Sequence, residues 1–244
     1  MPVINPVTGL ELLQFQMARS GFYTDNSNTM IDDFCYGGLA GDFTNNWSVV
    51  TSGTGSLIAQ VSPDNLAGHP GLIEIRAGTA SGAAALVRSA FPVTQLLLPT
   101  GQWEFRVMLR HSTNVADHVV RVGFGDQAAA VDDITNGVYF ELDNSVSPNW
   151  FAVCAASGVR TKQDTGIAND TTTYKEYRAL GNASSTRVDF YVDDVLRTSI
   201  TTNIPTNLAT AYCAGQVDKG VGAIARSLFV DYYYMGYSFL FADR

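Results

Sequence analysis

The chain is 244 residues long, 46% apolar and 16% charged, a balance that suits a packed core and excludes a disordered chain. Lys and Arg total 15 against 23 Asp and Glu, a formal charge of −8, so the chain lacks the basic field that attracts nucleic acid or an anionic membrane. Three widely spaced cysteines, Cys35, Cys154 and Cys213, form neither a disulfide framework nor a C-x-x-C zinc pair and read as free thiols. No apolar run reaches the ~18–20 residues that span a bilayer. The first 22 residues carry neither a basic region nor a continuous apolar stretch, so neither membrane insertion nor a secretory signal is expected.

In chain order, the first element is a short helix. Thr8-Gly9-Leu10-Glu11 fits a capping box, and Leu10, Leu13, Gln14 and Met17 follow at spacings of three or four. Leu12, Phe15 and Ala18 broaden the apolar stripe. A helix of about ten residues is marginal alone in water, so this one must dock. Residues 24–29 are a polar hinge, and the chain divides into an arm, 1–30, and a β domain, 31–244.

From Ile31 onward the period is two. Ile73, Ile75 and Ala77 share one face, as do Trp103, Phe105, Val107 and Leu109 against Glu104, Arg106 and Arg110. Val120, Val122 and Phe124 oppose Val119, Arg121 and Gly123, and Val138, Phe140 and Leu142 oppose Tyr139, Glu141 and Asp143. Val188, Phe190 and Val192 oppose Asp189 and Tyr191 before Asp193-Asp194, a dipeptide suited to a tight hairpin. Leu228–Tyr237 is apolar or aromatic almost throughout, which predicts a strand covered on both sides or an edge covered by a partner. Many short strands with no helix for parallel crossovers predict an all-β fold, an antiparallel two-sheet sandwich or jelly roll.

The candidate chemistry falls on these strands. Glu141 and Asp143, two apart on one strand, project to one side as glycosidase carboxylates do. A retaining enzyme of that kind would carry a further Glu three residues past the Asp, and position 146 is Val. Without a second carboxylate about 5 Å away no proton reaches the leaving group, so an enzyme is not expected. Tyr139, Glu141, Asp143 and Arg121, with Arg106 or Arg110 if their strands neighbour, form a candidate sugar-binding surface, set against the plainer reading of a solvated sheet face. Trp103 is in phase with the core. Trp150 follows the turn Ser147-Pro148-Asn149 and is a candidate stacking plate. His69, His111 and His118 read as solvated turn residues, of which only His111 and His118 can approach each other. Asp126, Asp132, Asp133 and Asn136 offer hard oxygens to calcium but match no EF-hand and read as a polar loop. No cofactor is expected.

Several strings occur together in order: Asp32-Asp33-Phe34, Trp47, Gly68-His69-Pro70-Gly71, Gly137-Val138-Tyr139-Phe140-Glu141, Ser147-Pro148-Asn149-Trp150, Phe190-Tyr191-Val192-Asp193, Thr202-Asn203-Ile204-Pro205 and Asp231-Tyr232-Tyr233-Tyr234. Over residues 31–237 the set resembles structural proteins of tailed bacteriophages built on a concanavalin A-like (laminin-G-like) jelly roll. The resemblance implies a non-enzymatic virion component, a tail fibre, adhesin or capsid decoration, assembled in the bacterial cytoplasm. It also implies other virion proteins as partners, a homo-oligomer, and a host-surface glycan as candidate ligand. The alternative is a carbohydrate-active enzyme using Glu141 and Asp143. Leu10, Leu13, Phe15 and Met17 in the arm, and Tyr237, Phe239 and Phe241 in the aromatic tail, are the candidate assembly contacts; the competing reading makes the tail a central strand and the arm a cap on the sandwich.

Overall fold

The computed structural model describes residues 27–32, 47–61, 71–89, 101–113, 115–182, 184–206 and 211–239. Among them lie fifteen strands: β1 Ser27–Asp32, β2 Trp47–Ser52, β3 Leu57–Gln60, β4 Ile73–Ala77, β5 Ala84–Ser89, β6 Gly101–His111, β7 His118–Gly125 and β8 Gly137–Asp143. The series continues with β9 Asn149–Ala156, β10 Val159–Ala168, β11 Lys175–Gly181, β12 Val188–Val192, β13 Val195–Ile200, β14 Tyr212–Lys219 and β15 Arg226–Phe239. No helix occurs among the described residues. The expected helix and its contacts Leu10, Leu13, Phe15 and Met17 lie outside them, as does Phe241. β1 runs across the division placed at residue 30, so residues 27–30 belong to the sandwich and are not hinge.

The strands form two antiparallel sheets. One runs β13-β12-β11-β6-β15-β4-β3, with β1 also paired to β15; the other runs β10-β9-β8-β7-β14-β5-β2. Their inner faces are the residues that the alternation picked out. Trp103, Phe105, Val107 and Leu109 of β6 meet Val120, Val122 and Phe124 of β7 and Val138, Phe140 and Leu142 of β8, all buried in one continuous core. Phe140 sits edge-on to Phe105, Tyr177 and Phe190 at 6.1, 5.1 and 5.3 Å between ring centroids, the geometry that aromatic quadrupoles favour. The hairpin joining β12 and β13 turns on Asp193 and Asp194 with φ of 51° and 59°, the left-handed pair of a type I′ turn.

β15 explains the aromatic run. Its register against β6 slips between Val230 and Tyr232, leaving Asp231 as an extra residue. Leu228 and Val230 point into the core before the bulge and Tyr233 after it, while Tyr232 and Tyr234 face outward, half-buried. The strand is central rather than an edge. β6 pairs along one side, and the other is shared by β4, over Arg226–Val230, and β1, over Tyr233–Ser238. Tyr237 and Phe239 lie within this strand, opposite Trp103 and Gly101 of β6. Cover is complete on the inner face only; outside, Tyr232 donates its hydroxyl hydrogen bond to Glu176, and Arg106 lies 5.7 Å from the Tyr234 ring.

Candidate functional site

Inward placement of Val138, Phe140 and Leu142 forces Tyr139, Glu141 and Asp143 to the outer face of the seven-stranded sheet. Register carries a row across that face: Asp164, Phe151, Glu141, Arg121, Gln216, Leu86 and Val50 lie side by side on β10, β9, β8, β7, β14, β5 and β2. The sheet thus places Tyr139, Glu141, Asp143 and Arg121 on one face, with Glu141 and Arg121 directly opposite each other. Arg106 and Arg110 do not join them, because β6 belongs to the other sheet.

The face is not the solvated surface that alternation suggested. Tyr139 is 0% exposed, Glu141 1% and Arg121 8%. The connection from β7 to β8, residues 126–136, folds back over its own sheet. Ala130 packs on Ala84, Leu86 and Ala214, and Ile134 packs on Tyr139, Val153 and Ala155. Polar side chains of the sheet fasten this roof. The Gln216 amide donates to the Ala130 and Asp132 carbonyls at 2.8 and 2.9 Å, Arg88 to Gln127 O at 3.2 Å and Arg160 to Ile134 O at 3.1 Å.

Beneath and beside the roof the charges alternate. Arg121 Nε donates to Glu141 Oε2 at 2.9 Å, its Nη1 to Gln216 Oε1 at 3.3 Å, and its Nη2 pairs with Asp133 at 3.0 Å. The Lys162 ammonium holds Glu141 Oε1, and Arg160 pairs with Asp133. The row Lys162–Glu141–Arg121–Asp133–Arg160 is a chain of three cations and two anions. Partial burial works to raise the Asp133 carboxyl, but the Arg160 hydrogen bond and the Arg121 charge outweigh it and hold it below the usual carboxylate range. Burial, then the Glu141 charge, push the Tyr139 phenol up, and its hydroxyl has no hydrogen-bond partner among the described residues. Both Glu141 oxygens are committed to cations, and the acid that shares its network, Asp133, stands across Arg121 from it.

Trp150 is not a surface plate. It is 0% exposed, in the core, with its ring centroid 4.9 Å from that of Tyr177. On β9 the inward residues are Trp150, Ala152 and Cys154, so its neighbour Phe151 takes the outer position, half-buried between Glu141 and Asp164. Around Phe151 lie the Asn149 amide, which donates to both Asp164 oxygens at 3.1 and 3.0 Å, and Lys162, whose side chain is 40% exposed. An aromatic face flanked by amide, carboxylate and ammonium groups is the composition a sugar ring needs. Sequence reasoning missed Phe151, Lys162, Arg160 and Gln216. Strand parity could have found Phe151, had both faces of β9 not been apolar.

The remaining candidates are accounted for within the fold. Asp126 accepts from the backbone of Thr135 and Asn136, Asp132 from the Ala128 and Ala129 amides, and Asn136 Oδ1 from the Ser157 amide, so these side chains shape the roof. Asp143 accepts from the Ser145 amide in the turn after β8. His111 and His118 are buried, not solvated, and stack at 4.6 Å. His69 lies outside the described residues. Among those residues, no group of three or more His, Cys, Asp or Glu is placed to hold a metal ion.

Comparison with known proteins assigns the family. The profile of the SO2946-like C-terminal domain matches residues 68–231. The chain belongs to the SO2946-like C-terminal domain family. No curated protein sequence matches it. Among solved structures it is similar to the protein of unknown function SO2946 from Shewanella oneidensis MR-1, 16% identical, with a TM-score of 0.63 over 100% of this chain and 99% of that one. It is also similar to an endo-1,3-β-glucanase from Streptomyces sioyaensis, 14% identical, TM-score 0.60, over 90% and 99% of the two chains. The potassium-bound carbohydrate recognition domain of Emp46p is 6% identical, TM-score 0.57, over 84% and 94%. At these identities the likeness is one of fold: the SO2946-like domain shares its jelly roll with glucanases and lectins.

Proposed function

We propose that this SO2946-like domain is a non-enzymatic glycan-binding module of a structural protein, with Phe151 as the plate on which a sugar ring stacks. One observation carries the reading: Glu141, the candidate carboxylate of the enzymatic alternative, is buried under residues 126–136 with Arg121 on one oxygen and Lys162 on the other. A general acid must hold and release a proton at the glycosidic oxygen, and a carboxylate shared by two cations is poorly placed for that. The fold it shares with a glucanase and a carbohydrate recognition domain supports sugar as the ligand class. The ordered strings of residues 31–237 support a phage virion as the setting, with the domain repeated in a homo-oligomer on the particle surface.

The test pairs a glycan array with a polysaccharide hydrolysis assay on the wild type, Phe151→Ala and Glu141→Gln. Retained array signal in Glu141→Gln, its loss in Phe151→Ala and no reducing ends from any of the three are expected. Hydrolysis by the wild type that Glu141→Gln abolishes establishes the enzymatic alternative, which the Glu141-x-Asp143 spacing on one face of β8 favours. Mass spectrometry of purified particles tests the virion setting, and absence of the chain from them overturns it.

A further inference from the structure

The core does not end in apolar residues everywhere. The inward rows of β6, β7, β14 and β15 each finish in a basic side chain: His111, His118, Lys219 and Arg226, all at most 2% exposed. His118 is directly opposite Lys219 in the sheet register, and His111 is opposite Leu228, two residues past Arg226. The two imidazoles stack at 4.6 Å and 26°, so they face each other ring to ring. Asp117, from the connection before β7, lies 3.3 Å from Arg226 and 3.9 Å from His118. The Asp143 carboxylate at the end of β8 also reaches His118 electrostatically. Lys219 Nζ is held by the carbonyls of Gly78, Gly222 and Ile224 at 2.7, 2.9 and 3.4 Å. Thr113 O meets His111 Nδ1 at 2.8 Å and accepts from Asn169 Nδ2 at 2.9 Å. The layer therefore already holds the Arg226 guanidinium and the carbonyl-bound Lys219 amine, whose pKa burial and Arg226 push down, before either imidazole takes up a proton.

We propose that this basic layer is an acid-sensitive latch, which holds the β6–β7 and β14–β15 connections together at neutral pH and releases them as His111 and His118 become charged. The connections are joined here by the Gly220 amide on Asp117 O at 2.9 Å, and the Ser112 amide on Ser227 O at 2.9 Å ties the β6–β7 connection to the start of β15. Burial, then the facing His118 and Arg226, push the His111 imidazole down to about 3. Burial and Arg226 also push His118 below its ordinary value, against the pull of Asp117 and Asp143. The unfolded chain binds protons on these rings from about pH 6.5 and the folded chain does not, so stability falls with pH below that point, down to about 3 for His111.

The experiment compares urea unfolding at pH 7 and pH 5 for the wild type and His111→Gln, with a proton NMR titration of the wild-type imidazoles. An unshifted unfolded-state pKa raises the unfolding constant about 25-fold for His111 between these pH values, a rise that His111→Gln removes. In the NMR titration the His111 signal stays neutral through pH 5. Hydrogen exchange, corrected for its intrinsic pH dependence, accelerates first at the amides of Ser112 and Gly220. Equal acid sensitivity in the variant, a His111 midpoint near 6.5 in the folded chain, or exchange that accelerates uniformly over both sheets each overturns the latch. Should His111→Gln fail to fold, the wild-type titration and exchange decide alone.

Discussion

The outer faces of the two sheets carry the same residue types in opposite circumstances. On the eight-stranded sheet Glu104 pairs with Arg106 at 2.9 Å and with Arg178 at 2.6 Å, and Arg178 lies 4.5 Å from the Tyr191 ring, the three charged side chains being 18–35% exposed. On the seven-stranded sheet Glu141 and Arg121 make an ion pair of the same length beneath residues 126–136, with side chains 2% and 10% exposed. Water reaches the first network and is largely kept from the Glu141–Arg121 pair of the second. The same glutamate–arginine contact is therefore a weak surface feature in one place and a structural commitment in the other.

This contrast orders the expected effects. Trp150→Ala, inside both faces, should cost the most, about 3–5 kcal/mol in urea unfolding, because a large ring leaves a cavity in the aromatic cluster. The adjacent Phe151→Ala should cost far less and mainly affect ligand binding; equal losses at the two positions would reverse the assignment of faces on β9. Glu141→Gln should cost about 3 kcal/mol, at the low end for breaking a buried pair, since Asp133 remains beside Arg121 and Lys162 can turn to water. That loss should persist in 1 M salt. Glu104→Gln should cost under about 1 kcal/mol and lose what effect it has as salt is added. A large, salt-independent loss at Glu104 would mean that its face, too, is covered. At the smallest end, Asp194→Gly in the β12–β13 turn should change stability by no more than about 1 kcal/mol, since glycine adopts the left-handed turn conformation freely while loosening the unfolded chain.

The openness of one face and the roofing of the other also decide how much of the molecule is legible in the sequence. β4 and β12 alternate strictly between buried and half-buried residues, because their sheet has one wet side, and the period of two exposes them at once. β8 is buried at every position but its last, yet its sequence still alternates, because the polar residues Glu141 and Tyr139 lie under a roof rather than in water. No local pattern announces that roof. Its fasteners, Gln216 and Arg160, come from strands far along the chain, and only the closed fold brings them to residues 126–136. Trp150 and Phe151 are indistinguishable by pattern for the same reason: Val153 and Ala155, which share the Phe151 side, are apolar to suit Ile134 of the roof, so β9 shows no period. His111 and His118 read as solvated in the sequence because each stands beside a turn, where solvent is the ordinary neighbour. Here the core rows extend one residue past their apolar members.

The extra residue at Asp231 has a further consequence. It acts as a phase shifter: upstream, odd and even positions of β15 have one assignment to core and solvent, and downstream they have the opposite one. Were the strand to pair straight through Asp231 with no bulge, Tyr233 would swing out to solvent and Tyr232 and Tyr234 would be driven into the packed interior. Removing Asp231 itself would leave a regular ladder with every face unchanged. Loss of a paired residue elsewhere along this strand is thus as disruptive as a reading-frame error, while Asp231 is the one residue whose loss keeps the phase.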